Sequence, residues 1–500
     1  MKTRRLSLCA AVLLAGCAVG PDYVRPALNL PGRWTAGTAT AKDAEGVPPA
    51  RLSPDLDVPA QWWQGFHSEP LNALVARSLA GNPTIEAADA ALRAARESEA
   101  ADRAAFWPTL ALGYAPTRQR VANAVASPVS SNANLYTLHT AQVTVSYTPD
   151  VFGATRRQVE GAEAQSGQQR FEALAARLTL SSNVVAAAIA EASLRAQRRA
   201  TLEIVAGQKE VLEAYSKQLA LGQVAPADVD AQEASLAATE ATLPPLDKQL
   251  AQQRNLLAVL AGRYPGEGIE AQFELDALQL PTELPLTLPS TLVEHRPDVR
   301  AAEAQLQAAS AAIGMAVAAR LPNVTLGVNA VGSSAYTLSK LFTSSTAFWT
   351  VAASVTQPLF DSGALKHREA AARAAFDQSA AQYRATVLGA FQDVANTLEA
   401  IDADTRGLQA ALKAERTASQ SLARMRRQVQ LGDASALALR LAQQAQQQAT
   451  LGLVQARAQR LTDAAALFQA LGGGWWNQPA DSIASLSSDA TSTATAAPKP

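Results

Sequence analysis

Cysteine is almost missing from this 500-residue chain: Cys9 and Cys17 are the only two, and both lie within the first 17 positions. Nothing downstream can form an internal disulfide, so stability has to come from packing and association. Histidine is as sparse. His67, His139, His295 and His367 stand far apart and form no cluster at metal-ligand spacing. No metal or other cofactor is expected. Neither sign of charge dominates, with 43 Lys+Arg against 44 Asp+Glu, so no bulk basic field is available for nucleic acid. Aromatic residues make up 5% and charged residues 17%, while Ala and Gln crowd the middle and the end. This composition points to long helices with small contact residues rather than a large aromatic core. The sequence has no H-E-x-x-H, no G-x-S-x-G and no grouped histidines, so no enzyme is expected. Beyond the N-terminus no run approaches 18 consecutive apolar residues. A transmembrane helix is therefore not expected, and any membrane crossing falls to β-strands.

The first sixteen residues form an export signal. Lys2, Arg4 and Arg5 precede the apolar stretch Leu6 to Leu14, which is too short to span a bilayer. Leu14-Ala15-Gly16-Cys17 resembles a bacterial lipobox, which implies that Cys17 is lipidated and becomes the first mature residue. Several acyl chains on one residue, at about 0.8 kcal/mol per buried CH₂, would anchor it firmly.

The remainder is written twice. Phe106-Trp107-Pro108-Thr109-Leu110 is echoed by Arg320-Leu321-Pro322-Asn323-Val324, an offset of 214. Tyr147-Thr148-Pro149 is echoed by Thr356-Gln357-Pro358, an offset of 209, and Gln218 to Gly222 by Gln428 to Gly432, an offset of 210. An Ala/Leu-Gly ending at Gly262 recurs at Gly473. Landmarks kept in order at nearly one offset indicate a tandem duplication.

Each repeat carries two period-two segments. Leu110, Leu112 and Tyr114 alternate with small or polar residues, as do Val143, Val145 and Tyr147. Val324, Leu326 and Val328 do the same in the second repeat, followed by Trp349, Val351, Ala353 and Val355. A soluble sandwich would show this pattern too, but the Ser, Thr, Asn, Gln and Gly partners suit a wet lumen behind a lipid-facing row. Strands are expected at about 108–115, 141–149, 322–331 and 347–358, with loops at 115–136 and 332–346. Four strands cannot close a barrel, and open edges are not tolerated in lipid, so closure needs several chains; three would supply twelve strands.

No proline occurs from Asp150 to Ala225 or from Leu359 to Gln478. Arg156–Gly222 and Ala364–Leu431 are therefore expected as helices about 100 Å long. They return through Pro226–Gly262 and Asp433–Gly472, and helices over 70–105 and 290–319 precede the first strand of each repeat. Leu202, Val205, Leu212 and Leu219, and likewise Ile401, Leu408, Leu422 and Val429, follow coiled-coil spacing. Gln443, Gln444, Gln446, Gln447 and Gln448 mark either a solvated outer face or one turned to a water-filled tunnel.

Four stretches together resemble the outer-membrane factor family, in its lipoprotein branch of OprM- and NodT-like efflux channels related to TolC. They are Gly20-Pro21-Asp22-Tyr23-Val24-Arg25-Pro26 with Pro31 and Trp34; Leu292-Val293-Glu294-His295-Arg296-Pro297-Asp298-Val299-Arg300-Ala301-Ala302-Glu303; Gly314 to Pro322; and Ala470-Leu471-Gly472-Gly473-Gly474-Trp475. The similarity spans about Cys17 to Trp476. The resemblance implies a mainly α chain with four transmembrane β-strands, a trimer closing a twelve-stranded barrel, and a periplasmic tunnel of coiled-coil helices. The domains expected are a signal peptide (1–16), a lipidated segment (17–68), repeat 1 (69–262), a linker (263–289), repeat 2 (290–476) and a disordered tail (477–500). It also implies a passive efflux channel of the bacterial outer membrane, working with a periplasmic adaptor and an inner-membrane pump of the resistance-nodulation-division type. Drug, aromatic-acid, metal-ion and peptide cargoes all remain open. The rival reading is a periplasmic coiled-coil lipoprotein, adaptor or structural, without a pore.

In that family the tunnel closes where paired helices turn, here at Leu221-Gly222 and Leu431-Gly432, which would also meet the adaptor. The acidic residue and Arg often found on the second returning helix fall at Leu441 and Gln444 by local match, while Leu437 keeps the apolar position. An apolar constriction of Leu437 and Leu441 is expected, with Asp433, Asp228, Asp230 and Glu233 as nearby acidic candidates. Other motif residues have structural roles. Asp298 suits the first turn of a helix, Arg300 and Glu303 stand at pairing distance, Pro108, Pro149, Pro322 and Pro358 fix the strand–helix bends, and Asp361-Ser362-Gly363 is an N-cap.

Overall fold

Proline and glycine placement decides where the helices stop. The computed structural model describes residues 19–28, 32, 34, 51–54, 56–127, 129, 132–286 and 289–478. The signal segment, Cys17, Pro31 and the tail from 479 lie outside the described residues. The helices are α1 (Glu69–Gly81), α2 (Pro83–Arg103), α3 (Ala154–Ala220), α4 (Pro226–Glu240), α5 (Leu243–Leu260), α6 (Pro289–His295), α7 (Pro297–Ala318), α8 (Ala364–Gln430) and α9 (Ala436–Ala470). The strands are β1 (Arg51–Ser53), β2 (Thr109–Arg120), β3 (Leu135–Tyr147), β4 (Glu283–Pro285), β5 (Asn323–Ala335) and β6 (Ala347–Thr356).

The helices expected over 70–105 and 290–319 are each broken, at Asn82-Pro83 and at Arg296-Pro297. A residue before proline is pushed out of the helical region, and Asn82 sits extended at φ −81°, ψ 125°. Pro83 and Pro297 are 214 residues apart, the same offset as Pro108 and Pro322, which adds a landmark to the duplication. The two breaks do the same work. Asn82 Nδ2 donates to the carbonyl of Leu260 at 2.9 Å, and Arg296 Nη1 donates to that of Ala470 at 3.1 Å. Each break thus satisfies a carbonyl at the end of a returning helix. Those ends turn through left-handed glycines, with Arg263 N bonded to Ala258 O and Gly473 N to Phe468 O, both at 2.9 Å. A side chain at Gly262 would run into the carbonyl of Gly81.

α3 and α8 are 67 residues each, about 100 Å. The return of the second repeat is one helix, α9, whereas that of the first is split into α4 and α5. Pro244 and Pro245 lack two successive N–H donors, and the ladder parts ahead of them at Ala241-Thr242.

Contacts divide the chain into two compact units that do not follow the repeats; each takes pieces of both. One unit comprises Met1–Pro26, Arg93–Gln168 and Ala302–Tyr383, and holds the main sheet. Its order is β2-β3-β5-β6, antiparallel throughout, so the second strand of repeat 1 pairs with the first of repeat 2. Residues directly opposite share a face. Leu110 lies opposite Val145, Val145 opposite Val328 and Val328 opposite Val351, while Thr144 lies opposite Asn329 and Asn329 opposite Thr350. The apolar rows therefore share one face and the polar rows the other. A bulge in β5 after Asn329 brings Val331 onto the apolar face opposite Val143. Thr144 Oγ1 donates to Asn329 Oδ1 at 2.9 Å on the polar face. The ladder outruns the apolar rows: residues 115–120 and 135–136, expected in a loop, belong to it, and pairing runs from Ala115–Thr140 to Arg120–Leu135. Backbone bonding continues there because it needs no apolar side chain.

The other unit comprises Ala27–Leu92, Gln169–Ala301 and Arg384–Pro500. Ile401, Leu408 and Leu422 are buried as their spacing predicts, but Leu202 is exposed, and Tyr215 takes a buried place on α3 instead. α3 also contains an 18-residue window of mean hydropathy 1.5, which the sequence reading passed over. Of that window 56% is buried within the protein, as in an interior helix. A short parallel pair, β1 with β4, was not anticipated. Arg296 holds Asp298 through two bonds, at 3.0 and 2.6 Å, and reaches Asp393 at 3.1 Å. Trp475 Nε1 donates to His295 O at 2.6 Å, and Trp476 stacks on the His295 ring at 3.9 Å. The internal motif and the C-terminal signature are thus two sides of one contact. Arg300 lies over Phe171 at 5.2 Å. In the first unit Glu303 receives Arg25 at 2.8 Å. Asp361 caps α8 by accepting from Gly363 N and Leu365 N at 2.9 and 2.7 Å.

Candidate functional site at the helix turns

The two helix-to-helix turns are built alike. α3 ends with Gln223 N bonded to Gln218 O, and α8 with Asp433 N bonded to Gln428 O, both at 2.9 Å. The intervening Gly222 and Gly432 have φ of +71° and +79°, a conformation that glycine adopts without penalty. Leu221 and Leu431 are 73% and 70% exposed. After the second turn Ser435 caps α9 through Ala438 N at 3.3 Å; after the first, Ala225 makes no side-chain cap and Pro226 opens α4.

Ends of four helices meet here. Tyr215, Leu422, Leu439 and Ala442 form a buried cluster, with Val211, Val229, Met425, Val429 and Ala436 packed around it. Leu439 and Ala442 on α9 face this cluster, which leaves Leu437, Leu441 and Gln444 on an exposed stripe of the same helix. Asp433, Asp230 and Glu233 are exposed, and Asp228 is half-buried. The structure thus brings Leu437, Leu441 and Gln444 together within the chain and sets Asp228 beside the cluster.

Several residues the sequence reading overlooked are more telling. Gln208, Gln232 and Gln443 are buried, and the side-chain oxygen of each has no partner within the chain among the described residues. The Tyr215 hydroxyl and Arg440 Nη1 are also unsatisfied. Burial raises the Tyr215 pKa, Asp228 adds to it, and Arg440 opposes. An unpaired buried polar group costs about 1–3 kcal/mol, so this is a weak point of the bundle. Gln443, expected on a solvated or tunnel face, is in fact inside. The available signal was an aromatic and glutamines at core spacing in an Ala-rich helix.

A second polar node lies between α8 and α9. Burial, then a hydrogen bond that the protonated Asp404 gives to Asp463 and the negative charge of Asp463, push the Asp404 carboxyl up to about 7, with Arg460 opposing. A folded-state pKa above the unfolded value of about 4 means stability is fully present below pH 4 and is lost as pH rises through 7. Asp404→Asn should therefore stabilise the protein at pH 8 by on the order of 1 kcal/mol, the full linkage being discounted for partial exposure. It should have little effect at pH 4. Thermal melts at the two pH values check this, and a gain at pH 4 larger than at pH 8 would contradict it.

The long paired helices and the sheet with one apolar and one polar face define the class. The chain belongs to the outer membrane efflux protein family, whose model matches residues 74–263 and 288–473, one stretch for each repeat. The toluene efflux pump outer membrane protein TtgF of Pseudomonas putida is 31% identical over 488 residues, 95% of this chain and 98% of the relative. The pyoverdine export outer membrane protein OpmQ of Pseudomonas aeruginosa is 27% identical over 480 residues, again 95% and 98%. Among solved structures, the outer-membrane channel OprN superposes with a TM-score of 0.83 at 27% identity, covering 92% of this chain and all of that one. This protein is an outer-membrane channel of an efflux system, a transport component whose family is not catalytic.

Proposed function

We propose that three copies of this chain close a twelve-stranded barrel, with their helices forming a tunnel through the periplasm. The observation carrying this reading is the sheet: β2 and β6 each pair on one side only, and one face is apolar and exposed. Unpaired edges in lipid cost several kcal/mol per group, and joining β6 of one copy to β2 of the next removes them. Exposed aromatics near the strand ends, Trp107 and Phe360 at one and Trp349 and Phe342 at the other, fit interfacial girdles. In mild detergent, corrected for bound detergent, the particle should have the mass of three chains. A stable monomer would overturn this reading.

The domains follow the duplication: repeat 1 over 69–262, a linker over 263–289 and repeat 2 over 290–476, behind a signal of residues 1–16. Cys17 carries the lipid anchor. The tunnel opens and closes at the turns, where Leu221-Gly222 and Leu431-Gly432 meet a periplasmic adaptor, and an inner-membrane pump of the resistance-nodulation-division type supplies the energy. Leu437 and Leu441 form the constriction, gating by dewetting, with Gln444, Asp433, Asp228 and Asp230 around it. Leu441→Ser should raise single-channel conductance in planar bilayers by letting water into the constriction. An unchanged conductance removes Leu441 from the gate. TtgF and OpmQ are named for toluene efflux and pyoverdine export, so toluene and pyoverdine are cargoes worth testing first.

A further inference from the structure

The sheet-bearing unit contains a cavity of about 600 Å³ among the ends of β3 and β6, the starts of α3 and β5, and the end of α7. Its walls are mostly apolar, with Val151, Phe152, Met315, Ala318, Leu321 and Val324 prominent. The carboxylate in the lining, Asp150, is engaged in capping α3, accepting from Thr155 N at 3.0 Å and Arg156 N at 2.8 Å. Both of its oxygens are thus turned to the start of α3. The volume lies within the range of small-molecule sites, about 300–1,000 Å³.

The N-terminal segment is tied to the wall of this cavity. Val19 N donates to the carbonyl of Phe152, a wall residue, at 3.1 Å. The buried Arg157 also holds the segment, donating to Val19 O at 3.3 Å, Gly20 O at 3.4 Å and Asp22 Oδ1 at 2.7 Å. Gly20, at φ +96°, lies so close to Gly314 that a Cβ there would stand 2.5 Å from the Gly314 Cα. Gly314 adjoins Met315, another wall residue. The chain is thus fixed two residues after Cys17, and two residues reach about 7 Å at most.

We propose that this cavity seats one acyl chain of the lipid carried by Cys17, so that the anchor packs into the strand–helix junction as well as into the membrane. The proposal rests on the lipidation of Cys17. Seating covers the exposed Val151 and Met315 side chains at the point where strands pass into helices, and gives the Gly20–Asp22 segment the purpose of holding the lipid-bearing residue beside that wall.

The test feeds expressing cells a fatty acid bearing a diazirine, irradiates the membranes, and maps cross-links by mass spectrometry. A cross-link through lipid from the Cys17 peptide to peptides containing Val151–Thr155 or Met315–Val324 is the expected result. Ala319→Trp, an exposed wall position at the cavity, should cut its yield several-fold while leaving the acylated Cys17 mass unchanged. If Cys17 is acylated but its cross-links avoid those peptides, the cavity assignment is wrong and lipidation stands. A phospholipid-sized adduct on the cavity peptides, without the Cys17 link, assigns the cavity to free lipid and overturns the proposal. An unmodified Cys17 peptide overturns lipidation itself.

Discussion

Alanine at Glu191 should destabilise the protein by about 3–5 kcal/mol, a large part of the 5–15 kcal/mol that holds a typical domain. Glu191 on α3 is fully buried. Its Oε1 accepts from Arg195 and from Arg254 Nη1 at 3.3 Å, and its Oε2 accepts from Phe273 N at 3.2 Å. Each partner is also held to the linker: Arg195 reaches Gln272 Oε1 at 3.2 Å and Arg254 reaches Ile269 O at 2.8 Å. One carboxylate therefore joins α3, α5 and the 263–289 segment. Deleting it leaves the partly buried guanidiniums of Arg195 and Arg254 without their shared carboxylate, Arg195 keeping only that of Glu274 at 3.9 Å among the described residues, and leaves a backbone donor unmet; that imbalance dominates over the lost contact area. Glu191→Gln keeps the shape and removes the charge, so it should fall between wild type and alanine. Denaturation midpoints in detergent read both, and an alanine variant within 1 kcal/mol of wild type would show the node to be dispensable.

The second large effect separates the two faces of the sheet. Val351→Arg puts a charge on the apolar row shared by Val328 and Val145. On a lipid face this costs up to about 2–4 kcal/mol per chain, depending on depth, repeated in every copy of an oligomer. Thr350→Lys, one residue away, puts a charge on the row of Asn329 and Thr144. It should assemble normally and shift ion selectivity toward anions, because a lumen charge changes the field ions cross. The predicted outcome is loss of membrane-assembled protein for the first variant and altered reversal potential for the second. If both behave alike, the faces have no lipid–lumen identity and the barrel reading fails.

Much of this molecule is legible in its sequence. Period-two rows in four segments placed the strands, because side chains on a strand alternate whatever their partners. The proline-free stretches gave α3 and α8, and Asp361 was identified as a cap, because both are local properties of the chain. Reading the Asn82-Pro83 and Arg296-Pro297 breaks was also within reach, since the residue before proline is restricted locally. The spans 70–105 and 290–319 are expected as single helices only when these prolines are left out of account, although Asp298 already marks a first turn after Pro297. Pro244-Pro245 was likewise visible and likewise passed over.

Where residues meet across long separations, local pattern has no purchase. That β3 pairs with β5 and joins the repeats within one sheet is a choice of partner, and alternation is the same for every order of strands. Heptad spacing proposed Leu202 as a contact, but packing chose Tyr215, since the phase of a 67-residue helix is set by what lies against it. The sequence alone determined the duplication, the helix lengths, the two-faced strands and, through its motifs, the family. Only the tertiary structure decided that Asn82 and Arg296 are equivalent caps, that Glu191 holds two arginines, that Gln443 is inside, and that Gly20 rests on Gly314 beside an apolar cavity. The first group depends on torsions and periodicities within a few residues. The second depends on distances between segments up to hundreds of residues apart, which no local regularity encodes.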